Sequence, residues 1–235
     1  MLSVHENATS EASTKSKRQA KGGTWLSSRV ISPRLTAELE LWLGGLQAIA
    51  GVDEVGMGPL AGPVVAAAVV LPPVRGSEEA LRFFPAGVRD SKTLTLKVRE
   101  RLDQEIRRIA IGVGIGVIEV EEIDQINIYH AGLKAMRSAV AQLPVAPEHV
   151  LVDGRSLHNL PCPHTTFIKG DRDVYSIAAA SIVAKVYRDR LMVALDQQYP
   201  EYGFARHMGY GTTAHRQALR RFGPSPIHRR SFRLL

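Results

Sequence analysis

Gly51-Val52-Asp53-Glu54-Val55-Gly56-Met57-Gly58-Pro59-Leu60-Ala61-Gly62-Pro63-Val64-Val65-Ala66-Ala67-Ala68 carries two strands and the bend between them. Ala48–Glu54 reads as a strand and Gly56–Pro63 as a turn rich in glycine and proline. Val64–Leu71 is an almost continuous apolar run, ended by Pro72 and Pro73. Two such runs joined by a short turn predict a hairpin whose strands are covered on both faces. Neighbouring side chains on a strand point to opposite faces, so Asp53 and Glu54 meet one ion only where the strand ends or twists. Gly56 and Gly58 permit such an ending.

Upstream, Leu35, Leu39, Trp42, Leu43 and Leu46 recur at helical spacing over 34–46. Trp42 is expected in the core rather than as a base-stacking platform. Residues 1–30 are polar and poor in large apolar side chains, and such a segment buries too little surface to offset its ordering entropy. A disordered tail is expected there. Its basic patch, Lys15, Lys17, Arg18 and Lys21, fits either loose contact with nucleic acid or plain solvation.

Downstream, Thr95 is placed to cap a helix over 96–109. Ile111–Val120 alternates Ile and Val with Gly and reads as a third strand. Glu121–Leu143 is mostly helical, His149–Asp153 and Thr165–Lys169 are short strands, and Ser176–Gln198 and Thr213–Phe222 are helices. A β-meander followed by alternating helices and strands predicts the α/β class, a mixed sheet with helices on its faces.

The 235 residues suit one domain with a tail, and a hydrophobic share of 45% suits an ordinary core. Thirty basic against 23 acidic residues give +7. This favours a polyanionic partner without naming one; ribosomal contact or an acidic protein surface also fits. Cys162 is the single cysteine, which rules out an intrachain disulfide and a multi-cysteine zinc site. Between Pro161 and Pro163 it reads as an incidental small residue. No apolar run reaches the roughly 18–20 residues of a membrane helix, and the N-terminus lacks an apolar signal core. A cytoplasmic, monomeric protein is expected.

Acidic residues fall repeatedly where an apolar strand gives way to glycine: Asp53-Glu54 before Gly56, Asp153 before Gly154, Asp171 after Gly170. Carboxylates crowded together repel, and a cation relieves the repulsion. Hard oxygen donors without a His/Cys group suit Mg²⁺ or Mn²⁺ rather than zinc. Taken alone, Asp153-Gly154 is an ordinary turn and Asp171 an ordinary helix cap.

The quoted hairpin closely resembles the opening motif of bacterial ribonuclease HII. So do Asp90-Ser91-Lys92, Val152-Asp153-Gly154, and Lys169-Gly170-Asp171 followed by Ile177–Lys185. Tyr202–Phe204, His207–Thr212 and Pro226–Phe232 are similar to its closing segments, and the match runs from about 47 to 233 in one order. The resemblance implies a ribonuclease H-like fold, a mixed five-stranded sheet flanked by helices. Residues 31–235 would form a single catalytic domain, with a small C-terminal helical part from about 200. It implies that Asp53, Glu54, Asp153 and Asp171 bind two Mg²⁺ or Mn²⁺ ions. Asp53 stands first in the strand-end pair and is assigned as the shared ligand, while Asp173, two residues on, would substitute for Asp171 if the loop is displaced. The resemblance implies cleavage of RNA–DNA hybrids, and of duplex DNA holding single ribonucleotides, to 3′-hydroxyl and 5′-phosphate ends. In the family a Gly-Arg-Gly turn reads the 2′-hydroxyl and a tyrosine stacks under the sugar. These match Gly56-Met57-Gly58 and Tyr210. Without the resemblance Tyr210 reads as a packing ring with its hydroxyl bonded to backbone.

Two departures remove charge. Met57 replaces the family's arginine, and Met208 stands where lysine is common. One lost charge-assisted hydrogen bond weakens binding by roughly 1.5–3 kcal/mol unless another cation compensates. Ser91 and Lys92 are expected to hold a phosphate; Lys185, Arg188, Arg229 and Arg230 are expected to extend a basic strip along a duplex. A sliding-clamp motif at Ser231–Leu235 is unsupported, and a packed end is favoured. Two alternatives stay open, a hybrid-binding module without catalysis and a junction nuclease on a similar fold. A metal-dependent nicking assay separates the first, and replacing the target ribose by deoxyribose separates the second.

Overall fold

Five strands order as β3-β2-β1-β4-β5 in a computed structural model that describes residues 33–235. The expected polar tail lies outside the described residues. The strands are β1 (Ile49–Val55), β2 (Val64–Val70), β3 (Gly112–Ile118), β4 (His149–Asp153) and β5 (His164–Phe167). β1, β2 and β3 pair antiparallel as a meander, and β4 and β5 continue the sheet parallel to β1. Every residue of β2 is buried, as a run apolar on both faces requires.

The helices are α1 (Thr36–Leu43), α2 (Ser77–Phe83), α3 (Leu96–Ile109), α4 (Val120–Ala141), α5 (Gly170–Asp173), α6 (Tyr175–Gln198), α7 (Phe204–His207) and α8 (Thr213–Phe222). Thr95 Oγ1 accepts the Val98 N–H and starts α3 where the sequence places it. α4 covers one face of the sheet, with Ala131, Ala135 and Ala139 against Val52, Ala66 and Ala68. The helix backbone comes so close that a Cβ on Gly114 or Gly116 would stand 2.0 Å from the Ala139 or Ala135 carbonyl oxygen. The Gly-Val-Gly-Ile-Gly pattern of β3 is therefore a docking surface for α4, with Val113 and Ile115 packing on the other face.

α6 covers that other face, backed by α1 and α3. Glu38 of α1 is wholly buried and accepts the Ser176 N–H at 2.7 Å. It caps an N-terminus that has no side-chain cap of its own and places a carboxylate at the positive end of the helix dipole. Trp42 is buried edge-on against Phe84, a core residue as expected. Leu60, Ala61, Met192, Tyr202, Phe204 and Leu219 form a further cluster under α7 and α8.

Three features depart from the sequence reading. α2 has no strong apolar periodicity and was not expected. The helix expected over 121–143 breaks at Asn127, whose φ of 65° and ψ of 164° are not helical. Asn127 Oδ1 accepts the His130 N–H and restarts the chain as a second helix. The strand expected to run to Lys169 ends at Phe167, because Lys169 is left-handed and begins α5. Among the described residues no helix is long and apolar enough to cross a membrane.

Candidate active site

β1 and β4 lie side by side and parallel, and their carboxyl ends carry Asp53, Glu54 and Asp153. Ligands of open α/β sheets gather at such ends. Asp171 enters from α5, where Gly170 N–H donates to Asp153 Oδ1 at 2.6 Å. This bond ties the third and fourth acids together. Asp171 is buried and Asp173 exposed, so Asp171 is the member of that pair that joins the group.

The four acids sense one another. Burial pushes the Asp53 carboxyl well above its usual range, and the charges of Glu54, Asp153 and Asp171 push it further; the Ser181 hydroxyl opposes them. Glu54 rises to about 6, through burial first and Asp153 second, with Lys92 pulling it down. Asp171 rises through burial, Asp153 and Asp90.

Strand alternation persists to the end of β1. Asp53 faces α6, on the side where a Gly51 Cβ would strike the Ser176 backbone. Glu54 faces α4, its Cγ 3.8 Å from the place of a Gly132 Cβ. Asp53 Oδ1 accepts the Glu54 N–H at 2.7 Å. Among the described residues no three His, Cys, Asp or Glu side chains are grouped to hold one ion as they stand. The donor set nonetheless suits a hard divalent cation, being four carboxylates with no nitrogen or sulfur, three of them of raised proton affinity. Asp53 and Asp153 each accept one N–H at Oδ1, which leaves the second oxygen of each carboxylate as a further donor site for a cation.

Asp90, absent from the sequence-derived set, is a fifth acid at the rim. Its Oδ1 accepts the Lys92 N–H and starts a 3₁₀ turn at Ser91–Thr93. That turn exposes Lys92 toward Glu54 and Asp171, which its charge reaches. Ser91 is buried instead, and its hydroxyl is bonded to Ser181 at 3.0 Å. Lys185 is also largely buried, and its ammonium pairs with Asp189. Arg99 joins the same carboxylate and donates to the Ser91 and Leu94 carbonyls. Ser91 and Lys185 thus support the turn that presents Lys92.

Two arginines of the expected strip are interior. Arg229 is fully buried and donates to the carbonyls of Gly56, Pro59 and Gly62 at 2.7–3.0 Å. Longer bonds of 3.3 Å reach Met57 and Pro63. Arg188, also fully buried, donates to Ala61, Pro63 and Met208. The turn is full of carbonyls that no ladder satisfies, and the two guanidinium groups satisfy them from below. Among the described residues the N–H groups of Met57 and Gly58 have no acceptor. Gly56 has φ of 97°, and a Cβ there would stand 2.4 Å from Arg188 Nε. Sequence reading placed these arginines on a surface strip because a buried guanidinium and a phosphate-binding one look alike; only Arg230 of the C-terminal pair is exposed.

Tyr210 stands beside the turn, its ring 3.7 Å from where a Gly58 Cβ would be. It is 42% exposed, and among the described residues its hydroxyl has no hydrogen-bond partner. The packing-ring reading does not describe it. Met57 turns toward α4 and, with Glu54, Tyr129, Gly132, Asp153 and Arg155, lines a pocket of about 240 Å³. Arg155 lies over the Tyr129 ring at 4.9 Å and is a cation at the margin where Met57 supplies none.

The five-stranded sheet thus carries acids at the ends of β1 and β4 and a glycine turn facing an exposed tyrosine. Residues 50–235 match the family described as Ribonuclease HII. This chain belongs to the ribonuclease HII family. A ribonuclease HII from Syntrophotalea carbinolica is 50% identical over 203 residues, 86% of this chain and 93% of its own. One from Geobacillus kaustophilus is 53% identical over 195 residues, 83% of this chain and 72% of its own. Among solved structures, ribonuclease H2 from Pyrococcus horikoshii OT3 superposes with a TM-score of 0.66 at 27% identity, covering 80% of this chain and 94% of that one. The RNase HII of a PCNA complex from Archaeoglobus fulgidus gives 0.66 at 25%, covering 80% and 96%. The fold is therefore ribonuclease H-like, and the chain is a ribonuclease H-type endonuclease, a hydrolase of phosphodiester bonds.

Proposed function

We propose that the protein cleaves the RNA strand of RNA–DNA hybrids and nicks duplex DNA at single embedded ribonucleotides, leaving 3′-hydroxyl and 5′-phosphate ends. The observation that carries this reading is the convergence of four carboxylates at the ends of adjacent parallel strands, where the charge of Asp153 acts on Asp53, Glu54 and Asp171 and raises the proton affinity of those three.

Two Mg²⁺ or Mn²⁺ ions held by these four residues would lower the pKa of a water and neutralise charge on the leaving oxygen. The protein's own part is positioning. Asp53, nearest the other three acids by charge, is the shared ligand. Glu54 and Asp153 flank it, and Asp171 closes the group from α5. Lys92 steadies the backbone phosphate from the opposite rim. The Met57 and Gly58 N–H groups face the ribose and read its 2′-hydroxyl, the group that separates RNA from DNA. Tyr210 stacks beneath the sugar next to Gly58. Arg155 takes up part of the phosphate contact that Met57 cannot make.

The neighbour from Archaeoglobus fulgidus was solved with PCNA. In this chain Phe232 is half-buried under the Arg229 guanidinium, and Arg216 holds the Leu234 carbonyl. The C-terminal segment supports a packed end, and no clamp partner is proposed.

A nicking assay tests the reading. Duplex DNA with one ribonucleotide, an RNA–DNA hybrid and an all-DNA duplex are offered with Mg²⁺ and with Mn²⁺. Cleavage of the first two and not the third supports it. Binding without cleavage under either ion would favour a non-catalytic module, and cleavage of all-DNA substrates would favour a junction nuclease.

A further inference from the structure

Tyr210 is reached from the C-terminal segment by a chain of imidazoles. The Ser225 N–H donates to His228 Nδ1 at 2.9 Å. A neutral His228 therefore carries its proton on Nε2, which lies 2.9 Å from His215 Nε2. His215 Nε2 must accept, so its proton is on Nδ1, 2.9 Å from the Tyr210 carbonyl. The backbone donor at one end and the backbone acceptor at the other leave one tautomer for each ring. Both rings are buried, at 0% and 1% exposure. Phe204 packs edge-on against His215, and His207 stacks on it at 4.5 Å.

The residues before Tyr210 are pinned from the opposite side. Gly209 accepts the Leu60 N–H at 2.8 Å, and Met208 accepts from Arg188. Arg188 is the same guanidinium that supports Ala61 and Pro63. The segment 208–210 is thus clamped between the glycine turn and the two histidines. With no bond at its own hydroxyl, the ring is located by its backbone and by its packing beside Gly58, so these contacts help set where it stands.

We infer that His215 and His228 are positioning residues for Tyr210, and that their proton-ordered chain seats its ring beside Gly58. The inference rests on the reading of Tyr210 as the ribose contact. It assigns the paired histidines a part in ribose selection through the Tyr210 carbonyl, with no direct contact to substrate.

A double-mutant cycle tests it, read as kcat and KM on duplex DNA holding one ribonucleotide. His215→Leu is expected to raise KM about tenfold, with a smaller fall in kcat. His215→Gln, whose amide both donates and accepts, recovers most of the loss. In a Tyr210→Ala background, His215→Leu adds less than a twofold effect, because its route of action is gone. A full additive loss in that background, or no loss in the native one, overturns the inference while leaving the ribose reading intact. Should Tyr210→Ala itself leave cleavage and ribose preference unchanged, both the reading and the inference fall. Side-chain ¹⁵N spectra of the unmutated chain give a second measurement that does not depend on folding of a variant. His215 is expected as the Nδ1–H and His228 as the Nε2–H tautomer, and the reverse assignment overturns the inference.

Discussion

Arg229 sits beneath Gly56, its Nη2 donating to the Gly56 carbonyl at 2.7 Å across 173 positions of sequence. The C-terminal segment thereby holds the turn that follows β1. Asp124 of α4 fixes that segment in turn, accepting the Arg230 and Ser231 N–H groups at 2.9 Å. Arg229→Met strands several buried carbonyls, each costing about 1–3 kcal/mol. A loss of at least about 3 kcal/mol is expected, or roughly 6–12 °C in Tm for a chain of this size. Thermal unfolding measures it, and a fall under 2 °C would contradict the support role.

Met57→Arg restores a cation at the pocket shared by Met57 and Arg155. Tighter binding of a ribonucleotide-containing duplex is expected, by roughly tenfold for one charge-assisted contact. Arg155→Ala is expected to weaken binding by a similar factor and to flatten its salt dependence. Titrations at several salt concentrations check both, and an unchanged affinity for both variants would sink the compensation idea.

Glu54, lifted to about 6 against an ordinary 4.5, makes the acid group a source of instability without bound cations. The folded state holds the proton more tightly, so stability falls as pH rises from about 4.5 to 6. The shift corresponds to about 2 kcal/mol. Glu54→Gln should therefore raise the metal-free Tm at pH 7 by about 4–8 °C and shrink the Tm gain on adding Mg²⁺ or Mn²⁺. A scan with and without chelator decides, and a variant that melts lower without metal would refute the account.

His228 responds with the opposite sign. Burial, then His215, holds its imidazole down at about 4, against 6.5 in the unfolded chain. Its contribution is complete above pH 6.5 and is lost as pH falls toward 4. The full span amounts to about 3 kcal/mol. His228→Gln should flatten the acid limb of the Tm–pH curve, whereas an unchanged limb would place the acid sensitivity elsewhere.

The hairpin was legible because its two signals agree. An uninterrupted apolar run demands burial on both faces, and Pro72 and Pro73 end it. Thr95 likewise marked the start of α3 without help from the rest of the chain. The break at Asn127 was hidden, since apolar spacing continues across it and only a local capping bond restarts the helix. Within the site, the strand-end carboxylates were visible, but Asp153 and Asp171 taken alone read as a turn and a cap, and only the resemblance to the family joined them to Asp53 and Glu54. The side on which a cation acts was not visible. Lys92 faces the acids while Lys185, Arg188 and Arg229 turn inward, a choice made by carbonyls and carboxylates brought from distant segments. Glu38 and Asp90 were overlooked for the same reason, since a buried cap and a turn-forming carboxylate have no pattern of their own.

Asp53 is the residue on which the charges of the other three acids converge, and its removal probes the centre of the account. The decisive measurement is the single-turnover cleavage rate of Asp53→Asn at saturating enzyme, with Mn²⁺, on duplex DNA holding one ribonucleotide. A rate at least about a thousandfold below the unmutated protein is expected, an added barrier of about 4 kcal/mol, with duplex affinity kept or increased. A rate within tenfold of the unmutated protein would contradict the assignment of these four carboxylates as the catalytic group.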